Sequence, residues 1–231
     1  MGRTFEPMVL ERDMDEIRRR LKHMSDAAAS TTNPLSWFEE LYSSAQGNDE
    51  WVPWSDGSPS PFVVEWAIGK SPGRALVVGC GLGEDAVFLD KNGWDVIAFD
   101  LSPTAVEWAK KRHEKSSVEW VVADLLNPPD KWISQFELVL EVHILQAIPE
   151  NIRSKAARIL PIFVAEGGHL VCIGRFDEDG NPHQGPPWPL NQEFIESIGE
   201  SIGQMSLVKA TLPDDDPSTI RYRATWSRLD Y

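Results

Sequence analysis

The stretch Val77-Val78-Gly79-Cys80-Gly81-Leu82-Gly83-Glu84-Asp85 decides the fold. The apolar run 75–78 enters three alternating glycines, and residues 84–91 then carry a helical pattern. A strand that ends in such a turn brings its backbone close to a ligand, because glycine has no side chain in the way. The competing reading is a tight turn with an acidic helix start. A dinucleotide-binding turn needs glycine or alanine at the sixth position, where this chain has Glu84. Glu84 and Asp85 also set negative charge beside the turn, which disfavours a pyrophosphate and suits a cation.

Downstream, strands are predicted at 94–99, 118–122, 136–142 and 169–173, and helices at 103–113, 150–163 and 193–201. Strands that are apolar nearly throughout and alternate with helices imply a parallel sheet covered on both faces. Two last strands, 204–211 and 221–228, flank the turn-rich loop PDDDPS with no helix between them, so they are expected to pair antiparallel. Upstream, 9–24 reads as an amphipathic helix, 27–33 as a linker, and Ser36 as the N-cap of a helix over 37–42. The Pro- and Trp-rich segment 51–61 reads as irregular and 62–68 as a helix. Residues 1–71 are therefore expected to form a helical and lid segment, and 72–231 the ligand-binding domain.

Doubly wound sheets bind ligands at the C-terminal strand ends. A ligand with a sulfonium and an ammonium, S-adenosylmethionine, suits the acidic turn. Asp100 closes the second strand, 17 positions beyond Gly83, where a carboxylate can accept both hydroxyls of a ribose. Capping of the helix that starts at Pro103 falls to Ser102. Asp124 follows the third strand and can accept from an adenine amino group, with Leu125 against the ring; aspartate also caps turns. On the fourth strand, alternation puts Glu141 and His143 on one face, both directed to the crevice. Either can take a proton from an acceptor that carries one, and a hydrogen-bonded loop histidine is the competing reading of His143.

VVGCGLGEDA, FDLSPTAVEWA, VVADLL and FELVLEVHILQAIP, in this order, resemble the class I S-adenosylmethionine-dependent methyltransferases over residues 74–228. The resemblance implies an α/β, Rossmann-like, doubly wound seven-stranded sheet, mostly parallel with its last strand pair antiparallel. It also implies cofactor binding by Gly79, Gly81, Gly83, Asp100 and Asp124. Cys80, Leu101, Leu125 and Glu141 complete the candidate cofactor set at the strand ends. Trp37 and the segment VPWSDGSPSP are similar to the thiopurine, thiol and halide methyltransferase group. That likeness implies a tryptophan-bearing N-terminal segment over the cofactor, so Trp37 and Trp54 are expected to touch it.

Lys and Arg number 22 against 36 Asp and Glu, a net charge of −14. Such a surface repels phosphate backbones and anionic lipid, so neither nucleic acid nor membrane is an expected partner. No stretch reaches the roughly 20 apolar residues of a membrane span. Cys80 and Cys172 lack zinc-site spacing, which fits a reduced cytoplasmic chain and no metal. The segment 174–189, with Arg175, His183 and Trp188, stands where an acceptor loop belongs. The expected function is methyl transfer from S-adenosyl-L-methionine to a small-molecule acceptor, with His143 and Glu141 as candidate catalytic residues. The alternatives are a protein or RNA methyltransferase and a non-catalytic S-adenosylmethionine-binding module.

Overall fold

The computed structural model describes residues 14–180, 185–213 and 215–229. Its strands are β1 (Arg74–Val78), β2 (Asp95–Asp100), β3 (Glu119–Val122), β4 (Phe136–Val142), β5 (Val164–Arg175), β6 (Met205–Ala210) and β7 (Arg221–Ser227). They form one seven-stranded sheet in the order β3-β2-β1-β4-β5-β7-β6. The strands from β3 to β5 pair in parallel, and β7 runs antiparallel to both β5 and β6. The mixed, Rossmann-like sheet expected from the sequence is the one observed. Its order reverses between β1 and β4, which opens a crevice above their C-terminal ends.

The helices are α1 (Met14–Ala29), α2 (Trp37–Ala45), α3 (Pro61–Ala67), α4 (Glu84–Lys91), α5 (Pro103–Arg112), α6 (Glu150–Ile159) and α7 (Gln192–Ile198). Alternate residues of the central strands enter two separate cores. Leu76, Val78, Phe99, Val139, Leu170 and Cys172 pack on one face with Ala156 and Ala157 of α6 and Ile195 of α7. Ala75, Val77, Ala98, Leu138, Leu140 and Val171 pack on the other with Phe62, Val63 and Trp66 of α3 and Val87 of α4. Burial on both faces is why these strands read as unbroken apolar runs.

Several expectations need correction. Residues 9–13 of the predicted first helix lie outside the described residues. The helix runs on to Ala29, through the start of the predicted linker, because three alanines extend it at little cost. Ser36 does not cap α2: its own backbone is helical, with φ −61° and ψ −21°, and its side chain makes no cap bond. Asn33, further upstream, accepts at its Oδ1 from the Leu35 N–H at 3.3 Å in the turn before the helix. The helix predicted over 150–163 gives way after Ile159 to a 3₁₀ turn, Leu160–Phe163, where Pro161 cannot continue the helical bonding. Ser102 does cap α5, its Oγ accepting from the Ala105 N–H at 3.0 Å.

Candidate active site

The glycine turn after β1 is tight because other elements press into it. Gly79 and Gly81 have φ of 60° and 53°, a region unfavourable to residues with a Cβ. A Cβ at Gly79 would overlap the Ile144 side chain, and one at Gly81 would lie 3.0 Å from the Tyr42 hydroxyl. Both glycines and Cys80 line a cavity of about 290 Å³ over the sheet's crevice. Gly83 is not in that lining: it precedes the first residue of α4, and the Trp120 ring occupies the space beside it.

Asp100 is 7% exposed and spans the end of β2 and the turn. Its Oδ2 accepts from the Gly81 N–H at 3.0 Å and its Oδ1 from the Ser102 N–H at 2.9 Å. Burial pushes its carboxyl above the usual range, and the backbone donors oppose that shift. Leu101, Asp124 and Leu125 also line the cavity, and Asp124 Oδ1 accepts from the Leu126 N–H at 2.8 Å. Asp56, Glu84 and Asp85 add acidic lining. Burial raises Asp85 to about 6, while its Oδ1 accepts from the Ser60 N–H at 2.8 Å.

The N-terminal segment supplies an aromatic wall. Phe38, Tyr42 and Trp54 line the cavity, and Trp54 Nε1–H donates to the Tyr42 hydroxyl at 2.8 Å. Trp37 stands behind this wall rather than in it. It is 1% exposed, absent from the cavity lining, and stacked on Phe38 at 4.0 Å. On a helix, neighbouring positions point about 100° apart, so Phe38 meets the cavity while Trp37 meets α1. Glu39 fastens the wall to α5: its carboxylate accepts from the Ser102 and Thr104 hydroxyls, each at 2.5 Å, and from the Thr104 N–H at 3.2 Å.

Glu141 and His143 part company at the end of β4. His143 has φ 64°, which takes it off the strand's alternation. Its ring lines the cavity, whereas Glu141 is 1% exposed and lies outside the lining. The shared crevice-facing pair expected from alternation is thus corrected. Glu141 Oε1 accepts from the Leu145 N–H at 3.0 Å, so the carboxyl supports the loop from beneath. Burial pushes it up to about 7.

His143 instead joins the polar end of the cavity. Its Nδ1 lies 3.2 Å from Gln146 Oε1, and its Nε2 lies 3.2 Å from Arg221 Nη1. Arg221 grips Asp215 through Nε at 2.5 Å and Nη2 at 2.6 Å. Burial, then the Arg221 charge, push His143 down to about 4. A neutral ring whose accepting nitrogen faces a guanidinium is a poor proton acceptor, which counts against the expected base role. Arg175, Pro186 and Pro187 complete this end. Arg175 stands where the acceptor loop was expected, and His183 of that loop lies outside the described residues.

Sequence reasoning missed Phe38, Tyr42, Ile144 and Arg221. The first two were legible as apolar helix positions but not as cavity lining. Arg221 opens a strand 78 residues beyond His143, and no local pattern joins them. Among the described residues, no helix is long and apolar enough to cross a membrane, and no group of three His, Cys, Asp or Glu side chains is placed to hold a metal ion.

The sequence model of the thiopurine S-methyltransferase (TPMT) family matches residues 48–217. The chain is 28% identical to probable thiol methyltransferase 2 of Arabidopsis thaliana, over 66% of this chain and 68% of that one. It is 26% identical to thiocyanate methyltransferase 1 of Brassica oleracea, over 77% and 78% of the two chains. In fold it is similar to the N-methyltransferase NodS from Bradyrhizobium japonicum WM9, solved in complex with S-adenosyl-L-homocysteine. That likeness has a TM-score of 0.61 and 14% identity, over 93% of this chain and 99% of the other.

Proposed function

The chain belongs to the thiopurine S-methyltransferase family and is an S-adenosylmethionine-dependent methyltransferase; from that premise we propose that its acceptor is a small molecule presenting an anionic nucleophile. The observation that carries this reading is the arginine-lined end of the cavity, where Arg175 and the Asp215-paired Arg221 stand beside His143, whose proton affinity is lowered to about 4. Relatives named for thiol and thiocyanate methylation support a sulfur nucleophile.

The remaining lining fits the cofactor by its own chemistry. Glu84, Asp85 and Asp100 favour a molecule with a sulfonium and an ammonium, and Gly79 and Gly81 leave the backbone bare. When bound, S-adenosyl-L-methionine supplies an electrophilic methyl group. We assign Asp100 to the ribose hydroxyls, Asp124 to the adenine amino group, and Leu101 and Leu125 to the adenine faces. Phe38, Tyr42 and Trp54 exclude water, which strengthens every charge interaction in the cavity. Arg175 and Arg221 draw in the acceptor and lower the proton affinity of a thiol beside them, so the proton leaves to solvent. His143 then orients Arg221 and needs to take no proton. The unpaired cysteines and acidic balance support a reducing, cytoplasmic setting without nucleic-acid or membrane partners.

Calorimetry is expected to show binding of S-adenosylmethionine and S-adenosylhomocysteine and none of NAD. Asp100→Ala is expected to weaken that binding about ten- to a hundredfold, the range for hydrogen bonds to a charged group. Incubation with thiocyanate and benzenethiol should release S-adenosylhomocysteine in step with methylated acceptor, read by mass spectrometry. Turnover confined to neutral or cationic acceptors would overturn the acceptor assignment.

A further inference from the structure

Gln146 is fully buried, yet each polar atom of its side chain has a partner. Oε1 accepts from the Arg175 N–H at 2.8 Å, and the amide NH₂ donates to the Arg175 carbonyl. This two-pronged pairing settles which end of the amide is oxygen, because a backbone N–H can only donate and a carbonyl can only accept. Gly174 leaves the room for it: a Cβ there would come within 2.8 Å of the Gln146 amide carbon. The consequence passes to His143. Its Nδ1 faces the same Oε1 at 3.2 Å, so Nδ1 carries the hydrogen. Nε2 is then a lone pair, and it faces Nη1 of Arg221 at 3.2 Å, a group that can only donate. Arg221 in turn is held from its other side by Asp215.

We propose that Gln146 is a positioning residue for acceptor binding: it fixes His143 as the Nδ1–H tautomer, and His143 Nε2 thereby holds the Arg221 guanidinium at the cavity wall. Orientation thus runs from the β5 backbone through an amide and an imidazole to a cation. The charged groups acting on His143 are Arg221, Arg175 and Asp215. An imidazolium would set a second N–H against Arg221, so protonation of His143 and anchoring of Arg221 exclude each other. The proposal concerns the acceptor end described above and extends the reading of its function, but its first test needs no acceptor.

Two-bond ¹H–¹⁵N correlation spectra of the ¹⁵N-labelled full chain report histidine tautomers, with His143 assigned by loss of its signals in His143→Gln. The expected spectrum is the Nδ1–H form, with no titration between pH 5 and 8. An Nε2–H form, or protonation with a midpoint above pH 6, would overturn the proposal whether or not any variant folds. Gln146→Glu, checked for folding by circular dichroism, offers a carboxylate that stabilises the imidazolium. Its His143 midpoint is expected to rise into the measured range. Its KM for thiocyanate is expected to rise about tenfold with kcat little changed, the size of one hydrogen bond to a charged group. A folded Gln146→Glu with an unmoved midpoint and unmoved KM would count against the relay. Wild-type enzyme that shows the Nδ1–H form but turns over only neutral or cationic acceptors would leave the relay standing and overturn the acceptor assignment.

Discussion

Glu141 and His143 are two residues apart, and burial moves their proton affinities with opposite consequences for stability. Burial raises Glu141 from 4.5 to about 7. Between those values the native state keeps a proton that the unfolded chain has released, so stability falls as pH rises through the window. His143 is lowered from 6.5 to about 4, first by burial and then by Arg221. Between those values the unfolded chain binds a proton that the native state refuses, so stability falls as pH drops. The two slopes oppose each other in the wild type, and a single substitution exposes one of them. Glu141→Gln keeps an acceptor for the Leu145 N–H and removes the charge. The variant is expected to match the wild type near pH 4 and to exceed its stability by about 3 kcal/mol at pH 8, measured by urea unfolding. Equal stability at both pH values would mean that the carboxylate is matched by an unseen partner.

At the scale of elements, α2 matters for what it presents and for how it is fastened. One side of it gives Phe38 and Tyr42 to the cavity, and another gives Glu39 to the first turn of α5. Three accepted hydrogen bonds concentrate on that one carboxylate. Removing it strips the Thr104 N–H and hydroxyl of their partner and frees the aromatic wall to shift. Glu39→Ala is expected to cost about 1–3 kcal/mol of stability. It is also expected to weaken S-adenosylmethionine binding severalfold, with no contact to the cofactor itself. Glu39→Gln retains acceptor capacity and should recover part of both losses. Unchanged affinity in calorimetry with Glu39→Ala would mean that the wall holds its place through packing alone.

For the whole molecule, the N-terminal segment both lines the cavity and enters the core. Phe62, Val63 and Trp66 of α3 bury one face of the sheet, against Ala75, Val77 and Leu138. A chain beginning at Pro72 loses all three and exposes that face. It is expected to be aggregated or molten by near-ultraviolet circular dichroism and dye binding, rather than a folded domain lacking a lid. Trp54→Ala leaves α3 intact and isolates the covering role. It should fold and bind S-adenosylmethionine more weakly, with a smaller fluorescence change on binding. A native-like domain from Pro72 would mean that the sheet buries its face without α3.

The sequence by itself determined the sheet, its mixed direction and the turn at Gly79 and Gly81. These follow from local periodicity and from the shortage of residues that tolerate a left-handed backbone. It also determined the carboxylates Asp100, which ends β2, and Asp124, which lies two residues beyond β3, because the end of a strand is fixed by the strand itself. Only the tertiary structure decided that Phe38 rather than Trp37 meets the cavity, that Glu141 turns under the loop while His143 turns out, and that Arg221 stands beside His143. Those choices depend on which distant surfaces meet. A pattern of apolar and polar residues marks the buried side of a helix, but not the neighbour it finds there. One residue with φ 64° is enough to take His143 off the face that alternation had given it.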